Sequence, residues 1–217
     1  RYCGPAHRGG TGGSRRYRQL ISECTERVAP VFLERIVSVE SSLNPWAIGM
    51  VGGCLARQHV TQGEAVATAR SLHEAGWNFS LGLGQVNRYN LSKYGLDYES
   101  VFKPCDNLRG TARIFAECLQ RARGMLPEEQ AQKAAFSCYY SGNFTRGLQP
   151  EGVEQRSYVD RIMAVNTTQL TADAAVAIPV IATSRNRTPA APSKPHNAGA
   201  RLSRPEPQTG VKELRGD

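Results

Sequence analysis

Long apolar runs are missing from this sequence. No stretch approaches the roughly 20 consecutive apolar residues that a helix needs to cross a membrane. We therefore predict no membrane span. Residues 1–20 also contain no apolar core of the kind that a signal peptide has, so if the protein is exported, its signal peptide is absent from this chain.

Cysteines at metal-binding spacing are also missing. No two Cys residues form a Cys-x-x-Cys motif and no His stands at zinc-finger spacing, so we expect no metal cluster. An even number of Cys residues, scattered along the chain, favours an oxidising compartment with about two disulfides in the core. The alternative is several buried free thiols in a cytosolic protein. The six residues are Cys3, Cys24, Cys54, Cys105, Cys118 and Cys138.

Acidic residues are absent from one end of the chain. Residues 1–20 hold five Arg and no acid, and residues 171–217 hold seven Lys or Arg against four acids. The middle, 21–170, is neutral, so the net charge of +8 belongs to the ends. A nucleic-acid-binding domain usually has a basic face on its fold, and we therefore predict no nucleic-acid partner. Basic ends suit any polyanion, including an anionic membrane surface or an acidic cell-wall polymer.

The apolar pattern divides the chain into one domain and two flanking segments. Residues 1–20 are rich in Gly and Arg and are predicted to be disordered. Residues 169–217 form a tail rich in Pro, Ala and Arg, without apolar periodicity, and are predicted to be disordered as well. Residues 21–168 carry helical periodicity, broken in the middle by a short strand-like segment around 78–87. The predicted fold is mainly α with a short β or loop segment.

Five helices are predicted within this domain. The first runs from Val28, and the second begins after Thr61, which is the N-cap of a capping box with Glu64. Asp106 is the predicted cap of the third helix, and Pro127 opens the fourth. The fifth covers about residues 155–166.

Glu40 is the acid of greatest chemical interest. It follows Ile36 by four residues and Leu33 by seven, so it continues the apolar stripe of the first predicted helix. Burial disfavours the charged form of a carboxyl group and raises its pKa, which would let Glu40 donate a proton near neutral pH. The alternative is a helix-end Glu that faces solvent.

Two further segments carry groups that suit a sugar. In "LGLGQVN", residues 81–87, an extended backbone would point the amides of Gln85 and Asn87 to the same side, where they suit hydroxyl and acetamido groups. In "CYYSGNF", residues 138–144, Tyr139 and Tyr140 offer flat apolar faces with polar tips. The alternatives are an ordinary turn and ordinary core packing.

Taken in order, these segments resemble a known family. Glu-Ser at a helix end, Gly-Leu-x-Gln after a second helix and Tyr-x-Ser-Gly-Asn look like the lysozyme-like lytic transglycosylase domain. The likeness covers about residues 22–166 and is greatest to the specialised transglycosylases of type IV secretion and conjugation systems. It rests on "VAPVFLERIVSVESSLNPWAIG", "SLGLGQVN", "YGLDYESVFKPCDNLRGTARI" and "CYYSGN".

The sequence departs from the family pattern at two positions. Gly84 stands where the family has Met in Gly-Leu-Met-Gln, so this position gives no side chain to a cleft. Tyr140 stands where the family has Asn in Ala-Tyr-Asn, so a phenol replaces an amide. Cys138 stands where that motif has Ala.

The resemblance implies a function and a site. It implies a periplasmic enzyme that cleaves the β-1,4 bond after N-acetylmuramic acid in peptidoglycan, with a 1,6-anhydro product and without a cofactor or metal. Glu40 would be the catalytic residue, and Ser41, Gln85, Asn87, Tyr139 and Tyr140 would bind substrate. The implied role is local opening of the cell wall for a secretion or conjugation apparatus, with components of that apparatus as candidate partners of the tail.

The same resemblance implies one disulfide and leaves two other functions to be tested. It places the helix starts near Cys24 and Cys105 close together, so we predict a bridge between them. Cys118 and Cys138 are buried thiols or a second bridge, and Cys3 is free or paired outside the core. A lysozyme-type hydrolase would need a second carboxylate, for which Glu64 and Glu74 are the nearest acids in sequence. A non-catalytic wall-binding assembly factor is the other alternative.

Overall fold

Helices dominate the computed structural model, which describes residues 11–26 and 28–167. The helices there are α1 (Thr11–Cys24), α2 (Pro30–Ser41), α3 (Gln62–Glu74), α4 (Pro104–Arg123), α5 (Glu128–Ser141) and α6 (Tyr158–Met163). Short 3-10 turns lie at Arg88–Asn90, Ser92–Tyr94, Ser100–Phe102 and Arg146–Leu148. The prediction of a mainly α domain is confirmed.

A small antiparallel sheet interrupts the helices, where the sequence predicts one short strand-like segment. Its strands are β1 (Ile48–Met50), β2 (Phe79–Leu81) and β3 (Val86–Asn87), in the order β1-β2-β3. Ile48 pairs with Leu81, and Ser80 pairs with Asn87. The predicted strand-like segment supplies β2 and β3. The sequence does not predict β1, because three residues are too few to show alternation and their partner strand lies far along the chain.

Two hydrophobic clusters form the core. The larger one packs α1, α2, α4, α5 and α6 together around Phe115 and Phe136, whose ring centroids are 4.9 Å apart. The second cluster packs Phe79 of β2 against Ala69 of α3 and the buried Phe102. Fully burying a side chain of this size stabilises the fold by roughly 1.5–3 kcal/mol. The larger cluster holds α2 and α5 in place, and the second cluster holds the sheet in place.

Helix α1 corrects the predicted start of the domain. It begins at Thr11, inside the segment 1–20 that the sequence predicts as disordered. Tyr17, Leu20 and Ile21 pack into the larger core cluster, and Ile21 is only 1% exposed. For residues 11–20 the prediction of disorder is therefore wrong. Tyr17, Leu20, Ile21 and Cys24 follow helical spacing, but the Gly and Arg residues around them mask that short stripe.

The helix starts agree with the prediction in part. The Thr61 side chain accepts a hydrogen bond of 3.2 Å from the Glu64 N–H, as predicted. The Glu64 carboxylate, however, accepts from the Val60 N–H and not from Thr61, so only half of the predicted capping box forms. Helix α4 begins at Pro104 with Lys103 as its N-cap, and Asp106 lies in its first turn instead of capping it.

Helices α5 and α6 differ in how well the sequence locates them. Pro127 is the N-cap of α5 and Glu128 follows it at once, as predicted. Helix α6 is shorter than the predicted 155–166. It is opened by a capping box in which the Ser157 side chain accepts from the Asp160 N–H and the Asp160 carboxylate accepts from the Ser157 N–H.

Two disulfides join these helices. The predicted bridge between Cys24 and Cys105 is confirmed, with Cα atoms 5.4 Å apart, and it links the end of α1 to the start of α4. Cys118 and Cys138 form a second bridge between α4 and α5, with Cα atoms 5.8 Å apart. Of the two states predicted for Cys118 and Cys138, the bridged one is therefore correct.

Some predictions lie outside the described residues. These are the disorder of residues 1–10 and 169–217 and the state of Cys3. Within the described ranges, no helix combines the length and the apolar character needed to cross a membrane.

Candidate active site

Glu40 lies in the last turn of α2, one residue before the helix ends. The helix ends because Ser42 and Leu43 both adopt left-handed backbone conformations, with φ of 51° and 65°. Both of their N–H groups donate to the Val37 carbonyl. Such conformations are uncommon for residues other than Gly, and backbone strain of this kind clusters at functional sites. A well-packed helix therefore presents Glu40 at an abrupt turn.

The Glu40 residue is partly buried, and its carboxyl group is held by a neighbouring phenol. Burial raises its pKa to about 7, although a hydrogen bond from Tyr158 and the positive charge of Arg161 both act to lower it. The Tyr158 hydroxyl donates to Glu40 Oε1 over 2.6 Å. The sequence-based expectation of a raised pKa agrees with this geometry. A carboxyl group of this kind is divided between its acid and base forms near neutral pH.

Tyr158 is a residue of the site that sequence reasoning misses. It is the first residue of α6, it is 2% exposed, and burial together with the Glu40 charge raises its own pKa. Its only sequence signal is local: the capping motif at Ser157 and Asp160 marks a helix start with an aromatic residue inside it. Nothing local shows that this helix start meets the end of α2.

Tyr140 supports Tyr158 and does not present a free phenol. The two rings stack with centroids 4.5 Å apart and an interplanar angle of 14°. The Tyr140 hydroxyl donates to Glu151 Oε2 over 2.8 Å. Arg161 donates to Glu151 Oε1 over 2.6 Å and lies 5.8 Å from the Tyr158 ring centroid. Tyr140 therefore contacts Tyr158, the residue that holds Glu40, and Tyr140 also lines the cleft.

Tyr139 connects α5 to the turn that follows β2. Its hydroxyl donates to the Gly84 carbonyl over 2.5 Å. Burial and the nearby Glu40 charge raise the pKa of Tyr139, so the phenol stays protonated. Tyr139 lines the cleft together with Glu40, and its binding of substrate stays a prediction.

Gln85 lies in the cleft wall, but its backbone is not extended as predicted. Its φ is 52°, in the left-handed region, because residues 82–85 form a turn between β2 and β3. Its amide nitrogen donates to the carbonyls of Ala47 and Gly82 over 3.1 and 3.0 Å. The prediction of extended backbone at this position is wrong, because an antiparallel pair needs a turn here.

A buried amide holds this turn in place. Asn107 of α4 accepts from the Gly84 N–H over 2.8 Å and donates to the Leu81 and Val101 carbonyls over 3.0 and 2.8 Å. A Cβ atom at Gly84 would collide with the Thr111 side chain. The glycine that departs from the family pattern is thus required by packing. Sequence reasoning places Asn107 on α4 but gives no sign of this contact.

Of the two predicted site residues Asn87 and Ser41, only Asn87 lines the cleft. Asn87 lies on β3 and lines the cleft; its side chain donates to Asn78 Oδ1 over 2.8 Å and accepts from the Tyr89 N–H over 3.1 Å. Ser41 is fully buried, and its hydroxyl donates to the Val37 carbonyl over 3.1 Å. The structure therefore brings Asn87, but not Ser41, into the cleft lining.

The cleft between the two clusters has a volume of about 700 Å³. Among the described residues that line it, Glu40 is the sole carboxylate. Glu64 is held in an exposed ion pair with Arg57, which lowers its pKa to about 2, and Glu74 is exposed on α3. Neither alternative acid lies in the cleft. Half of the lining residues are neutral polar or aromatic, and only Glu40 and Arg146 are charged, which suits an uncharged sugar chain.

A metal site has no support in the described ranges. No group of three or more His, Cys, Asp or Glu side chains is placed there to hold an ion. His59 is buried, and its ring nitrogens contact the Trp46 carbonyl and the Thr68 hydroxyl over 3.2 and 2.9 Å. Its role is therefore structural.

Comparison with known proteins identifies relatives of this chain. Residues 20–153 match the model of the family described as Transglycosylase SLT domain. The chain is 48% identical over 164 residues to the type IV secretion system protein virB1 of Brucella abortus biovar 1 (strain 9-941), which covers 75% of this chain and 68% of the relative.

Other relatives carry the same or a similar name. Protein virB1 of Agrobacterium fabrum is 30% identical over 134 residues, which is 61% of this chain and 54% of that protein. The virB1 protein of Brucella suis biovar 1 (strain 1330) is 50% identical over 147 residues, which is 67% of this chain and 61% of that protein. No solved structure shows a significant match.

Proposed function

We infer that Glu40 is both the catalytic acid and the catalytic base of this chain, which belongs to the transglycosylase SLT domain family. The protein is a lytic transglycosylase of peptidoglycan. The observation that best supports the role of Glu40 is its position as the one carboxylate among the described cleft-lining residues. Its pKa of about 7 fits a group that must both give and take a proton.

In the first step, the protonated Glu40 gives its proton to the glycosidic oxygen that follows N-acetylmuramic acid. The bond between that oxygen and C1 of the muramyl residue breaks, and positive charge develops at C1. The Glu40 carboxylate then takes the proton of the muramyl C6 hydroxyl. The C6 oxygen bonds to C1, which closes the 1,6-anhydro ring. Glu40 is protonated again, and no water is consumed.

The residues around Glu40 have distinct proposed roles. Tyr158 holds Oε1 by its hydrogen bond, so it orients the carboxyl group and stabilises the carboxylate between the two proton transfers. Tyr139, Gln85 and Asn87 line the same cleft as Glu40, where amide and phenol groups suit the hydroxyl and acetamido groups of the sugars. Tyr140 holds Tyr158 in place through ring stacking.

A lysozyme-type hydrolase of the same bond is the second candidate. It would need a carboxylate to activate a water or to stabilise the cation. The cleft lining of the described residues contains no such second group, and Glu64 is already paired with Arg57. These observations favour ring closure over hydrolysis.

The experiment that tests Glu40 compares two Gln variants on purified cell wall. We expect Glu40→Gln to lose nearly all wall-degrading activity, because no other cleft acid can replace it. Glu64→Gln, which removes an exposed acid outside the cleft, is the matched control and should keep activity. Activity of Glu40→Gln close to that of the wild type would contradict the proposal. An inactive wild type would support the wall-binding assembly factor instead.

We further propose that this activity opens the wall locally for a secretion or conjugation apparatus in the periplasm. The support is the name of the relatives, type IV secretion system protein virB1, and their extended match to this chain. Components of the apparatus are the proposed partners of residues 169–217. A deletion of the encoding gene that left apparatus assembly unchanged would contradict this role.

A further inference from the structure

Arg146 is a cleft residue that the mechanism does not use. It lies in the 3-10 turn after α5 and lines the cleft together with Tyr139, Tyr140 and Ser141. It is solvent-exposed. Within the described part of the chain, its guanidinium forms neither a hydrogen bond nor an ion pair. It is also the only Lys or Arg among the described residues of the cleft lining.

Several other arginines of this fold, unlike Arg146, form ion pairs with a glutamate. Arg57 pairs with Glu64 over 2.7 Å, Arg123 pairs with Glu128 over 2.7 Å, and Arg161 pairs with Glu151 over 2.6 Å. These pairs neutralise surface charge within the fold. Arg146 instead presents an uncompensated positive charge at the cleft.

The backbone that carries Arg146 is firmly held. The Asn143 side-chain oxygen accepts from the Arg146 N–H over 3.1 Å. The fully buried Ser137 donates its hydroxyl to the Asn143 carbonyl over 2.6 Å, and its oxygen accepts from the Gly147 N–H over 2.8 Å. Gly147 packs so closely that a Cβ atom there would lie 2.7 Å from Ser137 Cα. The position of Arg146 at the cleft is therefore built into the end of α5.

Peptidoglycan carries carboxylates that the Arg146 guanidinium could bind. In peptide-bearing peptidoglycan the glycan itself is neutral. The carboxylates belong to the stem peptide, which is attached through an amide bond to the lactyl group of muramic acid. A guanidinium binds a carboxylate through two parallel charge-assisted hydrogen bonds. We propose that Arg146 binds a stem-peptide carboxylate and makes this enzyme prefer peptide-bearing strands to bare glycan. This proposal rests on the activity assigned above.

Arg146 acts on substrate selection and not on the proton transfers. Among the described groups, the positive charge that lowers the pKa of Glu40 is that of Arg161. Removal of the Arg146 charge should therefore leave the pH dependence of cleavage in place. A general loss of active-site structure would disturb that pH dependence.

The test measures kcat/KM on three substrates of equal strand length. They are peptide-bearing glycan, glycan stripped of its peptides by an amidase with the lactyl carboxylates that this exposes then converted to carboxamides, and peptide-bearing glycan whose peptide carboxylates have been converted to carboxamides. We expect the wild type to prefer the peptide-bearing strand over each of the other two by about fivefold, as for one partly solvated ion pair. In Arg146→Gln this ratio should fall to about one, and Arg146→Lys should keep part of it.

Arg156→Gln is the matched control, because Arg156 is exposed but lies outside the cleft lining. It should keep the wild-type ratio. A wild-type ratio near one, or an unchanged ratio in Arg146→Gln, would overturn the proposal. If the wild type released no product from any strand, the assigned activity itself would fail, and that result differs from cleavage of all three strands without preference.

Discussion

The Tyr158 hydroxyl donates a hydrogen bond of 2.6 Å to Glu40 Oε1, although 118 residues separate the two along the chain. This contact joins the start of α6 to the end of α2. It means that the proposed catalytic acid is positioned by an element from the far end of the described domain. We therefore expect a structural change in either helix to disturb this hydrogen bond.

Tyr158→Phe should weaken catalysis and shift its pH dependence. The hydrogen bond stabilises the carboxylate form, so its loss raises the pKa of Glu40 further and keeps the acid protonated to higher pH. We expect the alkaline limb of the kcat/KM profile to move to higher pH. We also expect the maximum to fall about tenfold, which corresponds to about 1.4 kcal/mol. Tyr94→Phe, which removes a hydrogen bond to the exposed Glu117, is the control. An unmoved alkaline limb with unchanged activity would refute the role of Tyr158.

Glu151→Gln should shift the same limb in the opposite direction. Glu151 pairs with Arg161, and Arg161 lowers the pKa of Glu40 through its positive charge. Without Glu151 that charge is less compensated and favours the Glu40 carboxylate more strongly, so the acid form is lost at lower pH. Glu154→Gln removes the same charge from an exposed site nearby and should leave the limb in place. A shift of equal size in both variants would show that only net charge matters.

The local parts of this site can be predicted from the sequence. Leu33, Ile36 and Glu40 share one helical face, and that spacing alone indicates an inward acid. Tyr139 and Asn87 follow from short motifs that need no knowledge of the rest of the fold. The disulfide between Cys24 and Cys105 is confirmed, but it was implied by family resemblance and not by spacing.

The remaining features depend on contacts between distant segments. Tyr158 and Asn107 act on groups that lie far away in sequence, and no local pattern records such a contact. The left-handed backbone of Gln85 follows from the pairing of β2 with β3, which a single short segment does not reveal. Helix α1 is hidden because its apolar stripe is short and lies beside a Gly-rich stretch.

Arg18→Ala should destabilise the domain, because α1 is part of the fold. Arg18 donates to both oxygens of Glu34 over 2.9 and 3.2 Å and to the Thr167 carbonyl over 2.5 Å. Glu34 is only 6% exposed, so removal of its partner leaves a buried carboxylate unpaired. We expect the free energy of unfolding to fall by about 2 kcal/mol, less than for a fully buried pair because Arg18 is partly exposed.

The double variant Arg18→Ala, Glu34→Gln separates the lost pair from lost packing. It removes the unpaired charge and should recover part of the stability in chemical denaturation. A single variant as stable as the wild type would support the predicted disorder of residues 1–20 against the helix described here.

The mass of the released muropeptides tests the central claim most directly. The wild-type protein is incubated with purified peptidoglycan in isotopically labelled water, and the glycan ends of the products are analysed by mass spectrometry. Ring closure by Glu40 predicts 1,6-anhydro ends that are lighter than hydrolysed ends by one water and carry no label. Products with full-mass, labelled reducing ends would contradict the account, because they would show that water, and not the muramyl C6 hydroxyl, had attacked.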